Sequence, residues 1–275
     1  MSASRKKIIL IVVIELILIC LLLYRNSRKS QAQTPVPEVS DLELPLCEAV
    51  INGGNCPDHE IHSYAGFRLC YRESYEVAEW VSYTVTKDEL VKESGRTNDF
   101  REDESISTGS ASPADYYRSG YDRGHLAPAA DMAWSRESMS ESFYMSNMTP
   151  QTPAFNRKIW MYLESQVRIW AERYGEVTVV TGPVLDKKAS EYKTIGENEV
   201  CVPEWFYKVL LVKTEEENVE TVGFLIPNEG WTGTFWDYAV TVDEVETRTS
   251  LDFFSVLDDE IENQAEGTFN LNCWK

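Results

Sequence analysis

Along this 275-residue chain, apolar and polar positions alternate or cluster so as to predict short strands, then one long helix, then more strands. "YAGFRLCY" (64–71) and "EWVSYTVT" (79–86) are rich in β-branched and aromatic residues and bounded by polar ones. They read as strands paired through "RESYEVA". In "TKDEL", Thr86 and Glu89 have capping-box spacing, so a short helix starts there. Residues 92–120 are polar and turn-rich, a long excursion of the kind that often carries function. "SFYMSNM" (142–148) reads as a short strand. The clearest helix is "NRKIWMYLESQVRIWAERYG". Trp160, Leu163, Val167, Trp170 and Tyr174 keep the spacing of one buried face, and Gly175 stops it. "VTVVTGPV" (177–184), "EWFYKVLLV" (204–212) and "ETVGFLIP" (220–227) read as strands of a core sheet. "TVDEVE" (241–246) opens a helix, with Thr241 capping Glu244. This order predicts an α+β fold rather than a regular βαβ winding.

The first 45 residues break the pattern. The apolar run from Ile8 to Tyr24 is flanked by cations and interrupted by Glu15. Its length is at the short end for a membrane span. We read 1–7 as a cytoplasmic N-terminus, 8–24 as a transmembrane anchor or signal segment, 25–45 as a polar, proline-bearing linker, and 46–275 as the folded domain. The apolar region is long for a signal peptide and no clean cleavage site follows, so an uncleaved anchor is preferred. The expectation is a membrane-anchored domain outside the cytoplasm, periplasmic or extracellular, with a secreted chain as the alternative. Five cysteines follow: Cys47, Cys56, Cys70, Cys201 and Cys273. Export would permit disulfides, and the odd number leaves one unpaired within the chain. Cys56, His59, His62 and Cys70 carry zinc-binding groups, but their spacing matches no closed zinc site.

Net charge is −19. Such a chain is repelled by nucleic acid at long range. The charge is uneven, however. Arg118 to Arg173 holds seven basic and six acidic residues, whereas Glu197 to the end holds four and eighteen. The near-neutral stretch contains "YDRGHLAPAADM", with one of only three histidines in the chain. His125 is the group that titrates near neutral pH. Gly124 lets the backbone turn or approach a ligand closely. Arg123 suits a phosphate or carboxylate, and Asp122 can hold Arg123 or a neighbouring loop. The long helix adds Asn156, whose amide oxygen is a hard ligand suited to magnesium. Glu164 lies eight residues on, about 80° round an ideal helix, and Arg168 follows it at i+4. Taken alone, these residues read more readily as a helix N-cap at Asn156 and an ordinary surface Glu–Arg pair.

Together, "DRGHLAP", "SNMTPQ" and "N…W…LE…R" resemble the DNA/RNA non-specific endonucleases, the ββα-metal or His-Me finger nucleases, and their endonuclease G-like branch in particular. The resemblance covers roughly residues 60 to 255. It implies a central, mainly antiparallel sheet flanked by helices, with DRGH ending one strand, SN-x-x-P-Q following a second and an Asn opening the crossing helix. It assigns His125 as general base and Asn156 as the one direct protein ligand to magnesium, with manganese able to substitute. Glu164 would hold a water of that ion, and Arg168 would bind phosphate. Arg123 and Asn147 would belong to the substrate side, Asn147 by shaping the site. Arg96 would stabilise the transition state, with Arg101 as a rival. DNA and RNA are the expected substrates, the membrane a partner through the N-terminal segment, and a homodimer an open possibility. A non-catalytic nucleic-acid-binding or surface module on the same fold is the alternative. A carboxylate-pair hydrolase is a second one, for which no paired acids stand out.

Overall fold

The computed structural model describes residues 45, 58–214, 218–230 and 232–275. The chain divides into Met1–Val36 and Pro37–Lys275, and every described residue belongs to the second part. The readings of 1–7, 8–24 and nearly all of 25–45 therefore lie outside the described residues, as do Cys47 and Cys56.

Seven strands form one antiparallel sheet in the order β1-β2-β3-β6-β9-β10-β11. They are β1 His59–Ser63, β2 Arg68–Arg72, β3 Val77–Thr86, β6 Glu176–Pro183, β9 Trp205–Lys213, β10 Val219–Pro227 and β11 Ala239–Val240. The expected strands are present, but β1 was not foreseen. Its polar "HEIHS" has no apolar alternation and is recruited by pairing with β2. Alternation along β1 turns His59 and His62 to opposite faces, where they meet Glu79 and Glu60 respectively. They therefore do not converge on one ion. Cys201 and Cys273 are free thiols.

The sheet is covered on both faces, which is why β9 is buried along nearly its whole length. One face takes the long helix. It begins with a π turn, Phe155–Trp160, and continues as α2, Met161–Tyr174. Ile159, Trp160, Leu163, Val167 and Trp170 pack there with Tyr83, Val179, Phe206, Leu210 and Phe224. Each such side chain contributes about 1.5–3 kcal/mol by leaving water. Gly175 ends α2 with φ 90, a conformation that favours glycine. The other face takes α3, Val242–Thr249, and α4, Asp259–Glu266, both packed on β10. The capping box of α3 forms as expected: Glu244 N–H donates to Thr241 Oγ1 and Thr241 N–H to Glu244 Oε2, both at 3.2 Å. The box at Thr86 and Glu89 also forms, but it supports only a short 3-10 turn, Asp88–Leu90. A short α1, Arg136–Glu141, and a C-terminal α5, Leu271–Trp274, complete the helices. A separate two-stranded unit, β7 Thr194–Ile195 with β8 Val200–Cys201, lies apart from the main sheet.

The sequence motif builds its own antiparallel pair, β4 Asp122–His125 with β5 Met148–Gln151. "SFYMSNM" is therefore mostly not a strand. Met145–Asn147 is a 3-10 turn, and the strand starts where that stretch ends. β4, β5 and the long helix give the expected ββα unit, mounted against the sheet.

Candidate active site

Strand alternation decides which way the motif's side chains face. Along β4, Asp122 and Gly124 point to one side, Arg123 and His125 to the other. Phe100, from the long excursion, serves both residues of the second pair. Arg123 Cζ lies 4.0 Å from its ring centroid, and the imidazole meets it edge-on at 5.8 Å. Phe143 closes on the imidazole at 5.0 Å and 89°. His125 is buried, and its Nε2 has no hydrogen-bond partner among the described residues. Burial pushes the imidazole down to about 3, and the charges of Arg96 and Arg123 push the same way. The ring is neutral at neutral pH, the state that accepts a proton. An anion seated against those arginines would offset them and raise its proton affinity.

On the other side of β4, Asp122 accepts from Asn156 Nδ2 at 3.0 Å and from Arg157 Nε and Nη2 at 2.8 and 2.6 Å. Asp122 thus holds the start of the helix, in place of the Arg123 contact expected from the sequence. Tying Nδ2 turns the Asn156 amide so that Oδ1 is left without a donor among the described residues. That oxygen fits a hard divalent cation. Gly124 is also explained differently. A Cβ there would lie 2.1 Å from Gln151 Cδ, so the glycine admits a protein side chain rather than a ligand.

The π turn changes the helix geometry assumed from the sequence. Its i→i+5 bonds place more residues in each turn, so each advances by less than 100°. Over eight residues this brings Asn156 and Glu164 nearer to one face than the about 80° of an ideal helix. Glu164 makes no hydrogen bond or ion pair among the described residues. Burial raises its carboxyl, and Lys208, Arg168 and Arg96 draw it back toward the ionised form. Arg168 does not pair with it. Arg168 bridges the buried Asp131 at 2.6 Å and also bonds Ser165 Oγ at 3.0 Å. Beneath them lies Lys208, fully buried, its Nζ without a hydrogen bond and 4.6 Å from the Trp160 ring centroid. Burial pushes its ammonium down, and Glu164 and Asp131 push it up.

The two rival arginines part company. Arg96 packs over Phe143 at 4.9 Å, and its charge acts on both His125 and Glu164. Arg101 turns away, bonded to Asp99 and to the Ser140 carbonyl and stacked on Tyr144 at 4.0 Å. Asn147 is wholly interior. Its Oδ1 accepts from Ala127 N–H, and its Nδ2 donates to Ala127 and Ser142 carbonyls, each at 2.9 Å. Its amide braces the turn after His125 and faces no open surface, so any part it has on the substrate side acts through that turn. Sequence reasoning missed Phe100, Phe143, Asp131 and Lys208. Lys208 left a signal, a lone cation in the middle of the apolar strand "EWFYKVLLV". The others left none.

A sequence profile of the DNA/RNA non-specific endonuclease family matches residues 48–260. Mitochondrial endonuclease G of Bos taurus is 36% identical over 178 residues, covering 62% of this chain and 60% of the relative. The mitochondrial nuclease EXOG of Mus musculus is 33% identical over 213 residues, covering 72% and 58%. The chain thus spans about three fifths of the length of these relatives. In the solved EndoG/EndoGI complex, one chain superposes with a TM-score of 0.67 at 32% identity, covering 72% of this chain and 86% of that one. The expected membrane-anchored or secreted placement outside the cytoplasm is corrected here. Both relatives are named as mitochondrial nucleases, which does not fit that placement; residues 8–24 lie outside the described residues, among which no helix is long and apolar enough to cross a membrane. With a profile match over most of its length and the ββα unit in place, the chain belongs to the DNA/RNA non-specific endonuclease family.

Proposed function

We propose that the protein is a metal-dependent endonuclease that hydrolyses phosphodiester bonds in both DNA and RNA. The observation that carries this reading is a buried His125 whose Nε2 has no partner among the described residues, set between Phe100 and Phe143, the rings on which Arg123 and Arg96 pack. His125 takes the proton from the attacking water. Arg96 and Arg123 meet the negative charge that grows on the phosphoryl oxygens. Asn156 Oδ1, oriented by Asp122, would hold magnesium, or manganese in its place. When bound, the ion supplies Lewis-acid stabilisation of the phosphoryl group and of the leaving 3′ oxygen. Glu164, whose carboxylate is not otherwise engaged, accepts a hydrogen bond from water on that side. Arg168 is kept in place by Asp131 and adds positive charge to the phosphate side. None of these residues is assigned to a base edge or a sugar hydroxyl, so the proposed chemistry acts on the phosphodiester that DNA and RNA share. The relatives named as nucleases support the same reading.

The test compares the parent with His125→Ala and Asn156→Ala on plasmid and RNA, with folding checked by circular dichroism. The parent should cut both substrates, stop in excess chelator and recover with magnesium. Each variant should lose about two to four orders of magnitude in rate. A parent that binds nucleic acid without cutting it would establish a binding module instead. A folded His125→Ala protein cutting at the parental rate would overturn the assignment of the base.

A further inference from the structure

The acidic surplus of the C-terminal region is concentrated where α3 and α4 pack on β10. Asp243 stands in the first turn of α3, Glu246 one turn further on, and Glu266 is the last residue of α4. One carboxylate oxygen from each of the three lies within 4.8 Å of those of the other two. Acidic groups that gather on a surface usually need no ligand, and Asp243 is exposed. Glu266 is different. It is 4% exposed, and its Oε1 is buried with no hydrogen-bond partner among the described residues. It also ends a helix, where the free carbonyls make a carboxylate unfavourable.

Around it stand the exposed Asp243 and Glu246, whose carboxylate accepts only the Phe253 N–H, at 2.8 Å, among the described residues. A buried, unpaired carboxylate among others must take up either a proton or a cation. Glu266 also lies beyond residue 260, where the family match ends.

We propose that Asp243, Glu246 and Glu266 bind one calcium ion that joins α3 to α4. The ligand set favours calcium. It takes carboxylate oxygens at about 2.3–2.6 Å in flexible geometry, so three oxygens no more than 4.8 Å apart can share one ion. Magnesium needs about 2.0–2.1 Å and near-ideal octahedral geometry, which three side chains from two helices meet less well. Exposed Asp243 gives the ion a route in from water, and Glu266 closes the inner side.

The experiment uses the full chain carrying Asn156→Ala, so that the proposed catalytic ligand is absent and nuclease activity is not the readout. Thermal unfolding is followed in chelator, in calcium chloride and in magnesium chloride. Calcium at a hundredfold excess over its dissociation constant should raise Tm by roughly 5–10 °C, and magnesium by less. Adding Glu266→Gln should abolish the rise and make the protein more stable than its parent in chelator, because the glutamine carries no charge. Asp243→Asn, at an exposed position, should fold normally and need at least about tenfold more calcium for the same rise. No calcium-dependent rise in the Asn156→Ala protein would overturn the proposal. So would a full rise retained after Glu266→Gln, or an unchanged calcium requirement after Asp243→Asn. Because Asn156 is already removed, failure of the proposed active site would leave this result standing.

Discussion

At the scale of single residues, the site depends on side chains that hold other side chains. Asp122 is the clearest case, since one carboxylate binds the amide of Asn156 and the guanidinium of Arg157. Burial alone would raise its acid, and the bonds from Arg157 and Asn156 outweigh that, leaving it below the usual carboxylate range. Asp122→Ala releases the Asn156 amide, which can then turn its nitrogen toward the cation. Residues that orient a metal ligand typically contribute about 10–100-fold to affinity or activity. We therefore expect Asp122→Ala to raise the magnesium concentration for half-maximal activity by about 10–100-fold, with a smaller drop at saturating magnesium. Arg157→Ala removes a largely exposed partner and leaves the Asn156 bond intact, so it should shift the magnesium requirement by less. Equal magnesium titrations for parent and Asp122→Ala would show that the carboxylate does not orient the ligand.

At the scale of elements, β4 and β5 are separated by 22 residues in sequence and share only four paired positions. So short a pair is weak on its own. Asn147 compensates by fastening both backbone groups of Ala127 to the turn that leads into β5, and by reaching Ser142 as well. Asn147→Ala would leave three buried backbone groups unpaired, at about 1–3 kcal/mol each. We expect a loss of at least about 3 kcal/mol and a Tm lower by roughly 6–12 °C. Activity should fall as well, since the turn holding His125 loosens. A variant within a degree or two of the parent would mean that water or a repacked chain takes over those bonds.

At the scale of the whole molecule, the proposed function asks an acidic protein to bind a polyanion. The cations near the motif are fewer than the sequence suggests, because Arg157, Arg168 and Arg101 each bridge an aspartate. Arg96 and Arg123 have no carboxylate partner among the described residues. Each neutralised phosphate contributes about −0.9 to the slope of log affinity against log salt on duplex DNA. The slope for the His125→Ala protein on a short duplex should then be on the order of −2. A slope steeper than about −5 would mean that a broad basic groove, absent from this account, carries the binding.

The sequence alone determined what depends on local pattern. The period of the long helix, the caps at Thr86 and Thr241, the core strands and the DRGH–SN–N–E–R series were all legible, because each is fixed by neighbours a few residues away. The motifs carried the family resemblance, and it was the resemblance that implied the candidate roles of His125, Asn156 and Glu164. Contacts between segments far apart in sequence could not. Polar β1 became a strand only because β2 offered it an edge. Arg168 chose Asp131, 37 residues away, over the glutamate one turn before it. Phe100 and Phe143 reach the imidazole from separate loops, and Lys208 lies beneath the helix because alternation along β9 turns it to that face. The π turn at the helix start, where Asp122 holds the Asn156 amide, likewise left no mark in the helical period. These choices are set by which side chains the folded chain brings within a few ångströms of each other, and that proximity is a property of the tertiary structure alone.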